Sequence, residues 1–98
     1  MLAKVKLALR QSRTTDFDDE IRGLIAAAQK ELELVGIQPH LLRMSPPDPL
    51  VAQYVITYCR AHFGSPEPQE YDRLKLAYDE QKAQLMMASG YRREVRHG

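Results

Sequence analysis

The chain has 98 residues, 44% of them hydrophobic and 28% charged, with a formal net charge of +1, which describes a single soluble globular domain. The near-neutral balance gives no global reason to bind nucleic acid or membrane. One cysteine excludes an intramolecular disulfide, and no apolar run approaches the ~18–20 residues of a bilayer span. A chain this short buries only roughly 60–65% of the surface its unfolded form exposes, so association with other copies would add stability.

The first predicted helix covers about Leu2 to Gln11, with Leu2, Val5 and Leu9 on one face and Lys4, Lys6 and Arg10 on the rest. Its opening, MLAKVKLALRQS, interleaves lysines with leucines instead of separating a charged region from an apolar one, so no signal segment is read and the expected site of synthesis is the cytoplasm. The second helix runs from about Asp16 to Val35. Asp16, Asp18, Asp19 and Glu20 suit the positive end of its dipole, and Phe17, Ile21, Leu24, Ala28, Leu32 and Val35 form its apolar stripe. Gly36 is its stop. Gly23, Ala26 and Ala27 add a small-residue surface that another helix could approach closely. Residues 37 to 48 read as a connection whose Leu41, Leu42 and Met44 pack down or meet a neighbour.

Asp48 is a natural N-cap for a third helix, Pro49 to about Phe63, because Pro at the first helical position gives up an N–H that has no partner anyway. Its polar residues Gln53, Thr57 and Arg60 fall on one narrow stripe, while Leu50, Val51, Tyr54, Val55, Ile56, Tyr58, Cys59 and Phe63 cover the remainder. That is the pattern of a central helix enclosed on most sides. Gly64 ends it. Ser65 is the candidate cap of a fourth helix, Glu67 to about Met87, with Pro66 first in the turn. Tyr71, Leu74, Tyr78 and Leu85 recur along its seam, with Gln81 between them. Glu70–Arg73, Asp72–Lys75 and Asp79–Lys82 are candidate pairs across one turn. The expected division is a helical domain over 1–88 and a basic tail over 89–98, SGYRREVRHG, with little to fold it.

No catalytic, metal or cofactor site is read. His40, His62 and His97 lie far apart without ligand spacing, no glycines cluster into a phosphate loop, and DFDDE lacks the alternating ligands of a calcium loop. Cys59 and His62 stand three residues apart on one helix, so a thiol–imidazole pair is conceivable. Nothing marks the oxyanion donor or orienting acid it would need, and a small buried thiol is the commoner explanation.

Charge is segregated along the chain. Residues 1–14 hold four bases and no acid, residues 15–36 hold six acids against two bases, and the tail holds three arginines and one glutamate. The bland reading is solvated faces. The sharper one is complementarity, with Lys4, Lys6, Arg10 and Arg13 of one copy meeting Asp16, Asp18, Asp19 and Glu20 of the next, a heterologous contact that generates rings where the rotation closes.

The ordered set DDEIRGLIAAAQKELE, then DPLVAQYVITYCRAHFG, then a Tyr-Leu-Tyr helix ending near Tyr91-Arg92 resembles the head–tail connector (DNA-packaging) proteins of tailed bacteriophages over roughly residues 1–92. The resemblance implies an all-α adaptor of about four helices that forms a ring below the portal, extends the channel for double-stranded DNA without reading its sequence, and joins head to tail. The partners it implies are further copies, the portal and a tail or stopper protein, with no membrane, no cofactor and no catalytic residue. The implied location is the virion, after assembly in the bacterial cytoplasm. Leu41, Leu42, Arg43, Met44, Tyr91, Arg92, Arg93 and Arg96 are the candidate portal or partner contacts. The expected core is Ile21, Leu24, Ala28, Leu32, Leu50, Tyr54, Val55, Tyr58, Cys59, Phe63, Tyr71, Leu74 and Tyr78. The rival readings are a small helical DNA-binding or regulatory module, which needs a basic recognition face, and an enzyme using Cys59 and His62.

Overall fold

Five helices organise residues 1–93, the part of the chain that the computed structural model describes: α1 Leu2–Ala8, α2 Asp18–Leu34, α3 Pro39–Arg43, α4 Pro49–His62 and α5 Pro68–Met87. The fold is all-α. Its only strand-like pairing among these residues is one antiparallel bridge between Ile37 and Arg92. The helix beyond the expected four is α3, a single turn within the 37–48 connection that starts on Pro39.

Backbone chemistry sets the helix ends. After α1, the Arg10 amide donates to the Leu7 carbonyl and the Gln11 amide to the Lys6 carbonyl, the paired bonds of a Schellman stop. The left-handed position falls on Arg10, at φ 60°, where a side chain costs roughly 1–2 kcal/mol that glycine would not. At the end of α2 the same bonds run from Gly36 to Glu33 and from Ile37 to Leu32, and here glycine takes the left-handed position at φ 92°. Asp48 caps α4, its Oδ2 accepting from the Leu50 and Val51 amides at 3.1 Å each. The start of α5 differs from the Ser65–Pro66 expectation. Pro68 is the first helical residue and Glu67 the cap, in extended backbone at φ −57°, ψ 147°, because a residue before proline is pushed out of the helical region.

The core lies where α4 packs on α5, α2 and α1. Tyr54, Val55, Cys59 and Val51 of α4 are buried against Ile21, Ile25, Ala28 and Leu32 of α2, Val5 of α1, and Leu74, Tyr78 and Leu85 of α5. Each large apolar side chain sealed this way stabilises the fold by about 1.5–3 kcal/mol. Leu24, Tyr58, Phe63 and Tyr71 sit at the margin, partly buried. The stripe of α2 holds Ile21, Ala28 and Leu32 as expected, with Ile25 taking the buried place and Leu24 beside it partly buried. Phe17 stays 42% exposed while meeting Phe63 edge-on at 5.5 Å.

Leu50, expected in the core, is 36% exposed. It lies three and seven residues before Gln53 and Thr57, so it shares their outward stripe, while Val51 and Ala52 take the buried side. Among the expected surface pairs on α5, Glu70–Arg73 forms. Lys75 pairs with Asp79 instead of Asp72, and Lys82 reaches across to Glu31 of α2 instead of turning to Asp79.

The chain then turns back on itself. Gly90 takes φ 80°, the Gln38 amide donates to the Tyr91 carbonyl at 2.9 Å, and the Arg93 amide donates to the Gly36 carbonyl at 2.7 Å. The first residues of the expected tail are therefore strapped to the end of α2. The remainder, with Arg96 and His97, lies outside the described residues.

Candidate assembly surface

α1 carries Val5 fully inward, which leaves Lys4 and Leu7 outward, Leu7 at 70% exposure. Lys6 pairs within its own chain. Its ammonium lies 2.8 Å from Asp18 Oδ1, with side-chain exposures of 12% and 16%. The contact lies outside hydrogen-bonding angles, so it is an ion pair and not a directed bond. α1 packs across the start of α2, and proximity satisfies the two charges within one chain. Both charges, members of the set expected to join copies, are thereby matched within the chain. The exposed members of that set are Lys4, Arg10, Arg13, Asp16, Asp19 and Glu20, with Asp19 reached by its own Arg22 at 3.3 Å.

The polar stripe of α4 forms the floor of an open groove of about 410 Å³ between α1 and α5. Lys4 and Arg60 provide two cations with no carboxylate opposite them, and Ala52, Ile56 and Pro49 provide apolar floor. Thr57 donates its hydroxyl to the Gln53 carbonyl of its own helix. Gln81 Oε1 is enclosed at the α5 wall and accepts no hydrogen bond.

A second groove, about 290 Å³, opens between α4 and α5 beside Glu31 of α2. It is aromatic: His62 lies 4.4 Å from the Tyr58 ring and 5.7 Å from Tyr71, and its Nε2 is 3.5 Å from Tyr78 Oη. Its charges are already matched, Lys82 to Glu31 at 3.4 Å and Lys75 to Asp79 at 2.8 Å. The two ammonium groups lie near Tyr54 and Tyr78 ring faces at 5.9 and 5.4 Å, a favourable cation–π arrangement. Tyr54 Oη is buried without a partner, and burial, with Glu31 nearby, raises its pKa well above the usual phenol value. Burial likewise pushes the Cys59 thiol up to about 12. A fully enclosed thiol held protonated is the opposite of an activated nucleophile.

The candidate partner contacts divide. Arg43 and Met44 are exposed, and Leu41 is partly buried against the core. Leu42 is buried, and its carbonyl accepts from Gln29 Nε2 at 2.9 Å, so it serves the α2–α3 packing and is closed to a partner. Tyr91 is half-buried and donates to Asp48 Oδ1 at 2.8 Å. Arg92 and Arg93 remain exposed. No group of three or more metal-ligating side chains comes together among the described residues, and no helix there is long and apolar enough to cross a membrane. The groove at Lys4 and Arg60 is absent from the sequence reading, although its signal, the Gln53–Thr57–Arg60 stripe, is plain there.

No curated protein and no solved structure matches the chain. A family model described as phage connector protein matches residues 1–92, nearly the whole length, and the chain therefore belongs to that family of structural, phage head–tail connector-like proteins.

Proposed function

We propose that this protein is a head-completion adaptor of a tailed bacteriophage or prophage. Copies close into a ring below the portal, extend the DNA channel, and present a surface to the next tail or stopper protein. Assembly takes place in the host cytoplasm and the product resides in the virion. The observation that carries this reading is the family match over residues 1–92. DNA passes without sequence reading, and no catalytic step is assigned, with Cys59 sealed in the core.

Native mass spectrometry and negative-stain imaging of the purified protein, alone and with its portal, test the proposal. A ring is the expected result, and Arg10→Glu with Arg13→Glu weakens it. A chain that stays monomeric in both settings, or one that instead binds duplex DNA with steep salt dependence, removes the reading.

A further inference from the structure

We infer that the Lys4–Arg60 groove is the receiving half of the contact between copies, and that its occupant is the acidic start of α2 from a second copy, Asp16, Asp19 and Glu20. The inference rests on the ring reading and names the surfaces that would build it.

Four observations lead to it. The groove holds two cations and no carboxylate, whereas the tyrosine-lined groove has each charge already matched. With Lys6 and Asp18 consumed by each other, the exposed acids that remain are Asp19 and Glu20 in the first turn of α2 and Asp16 just before it, Asp19 being reached only by the exposed Arg22 of its own helix. Further along α2, Gly23 and Ala26 are both exposed, and a Cβ at Gly23 would meet nothing within 4 Å, so a neighbouring backbone can come close. The groove floor is apolar at Ala52 and Ile56, and the exposed Leu7 and Leu50 lie on its α1 and α4 helices, so the contact joins charge pairing to apolar burial. Groove and acidic face are different residues of the same chain, so one copy can receive one neighbour while it is received by another, the head-to-tail arrangement that a ring needs.

The test uses the full chain at low salt, with association followed by native mass spectrometry. Lys4→Glu with Arg60→Glu weakens association by about tenfold or more, as does Asp19→Lys with Glu20→Lys, and all four changes together restore it. Circular dichroism establishes that each variant is folded. Carbodiimide coupling of an isotope-mixed sample, which needs no variant, joins Lys4 of one copy to Asp16, Asp19 or Glu20 of another. Rings that ignore both charge reversals and yield no such link overturn the inference and leave the ring reading standing. A two-fold dimer also overturns it. A chain that stays monomeric with and without its portal removes both.

Discussion

Asp48 holds two parts of the chain at once: Oδ2 caps the first turn of α4, while Oδ1 accepts a 2.8 Å hydrogen bond from Tyr91, 43 residues later. Tyr91→Phe removes only the second bond and is expected to cost about 1–2 kcal/mol. Asp48→Ala removes both functions and is expected to cost about 2–3 kcal/mol. Urea titration measures the loss. Hydrogen exchange locates it, with the Gln38 and Arg93 amides exchanging faster in Tyr91→Phe while the centre of α4 stays protected. Equal loosening of α4 in both variants would mean that the tyrosine supports the cap itself.

Gly23 sits inside α2 on its open side. Gly23→Ala is expected to stabilise the monomer by about 0.5–1 kcal/mol, a rise of a few degrees in Tm. Where another copy approaches this face closely, the same change weakens association. Opposite signs in melting and in oligomer mass distinguish the two effects, and a destabilised monomer would contradict the open environment.

Tyr54 presents a buried hydroxyl with no partner beside a well-packed ring. Tyr54→Phe keeps the ring and deletes the stranded group, so it is expected to be neutral or to stabilise by up to about 1 kcal/mol. A loss larger than that in thermal unfolding would show that the hydroxyl is satisfied in solution.

Burial raises the Cys59 thiol from 9.0 to about 12 and helps to raise Tyr78 from 10.0 to about 12. The folded state therefore holds these protons more tightly than the unfolded state does. The stability they contribute is complete below the unfolded values, near pH 9, and is lost as pH rises through the folded ones. Melting temperature should fall progressively above about pH 9, and an aromatic disulfide reagent at pH 8 should label Cys59 only after denaturant is added. Rapid native labelling would mean that the core around α4 opens readily.

What the sequence made legible was local. Asp48–Pro49, Gly36 and Gly64 punctuate helices through their own backbone chemistry, so their roles follow from neighbouring letters. The periodicity located the buried stripe of α2 but could not separate Leu24 from Ile25, adjacent residues at the edge of an arc. Leu50 looked apolar enough for the core, and its register with Gln53 and Thr57 placed it outside. Lys6 and Asp18 illustrate a different limit. Charge segregation names the groups, yet only the packing of α1 on α2 decides that they meet within the chain. The strap at 91–93 depends on partners at 36–38 and 48, whose separation no local pattern encodes. Ile37, fully buried beside it, was missed for the same reason.

That strap also sets a load path. Arg93 and Tyr91 bond to the backbone of Gly36 and Gln38, and the Tyr91 side chain anchors on Asp48. Tension applied through the segment that follows Arg93 would thus reach the end of α2 and the head of α4 before it could unwind α5. A tether attached there would be shielded from the longest helix and would pull on the centre of the fold.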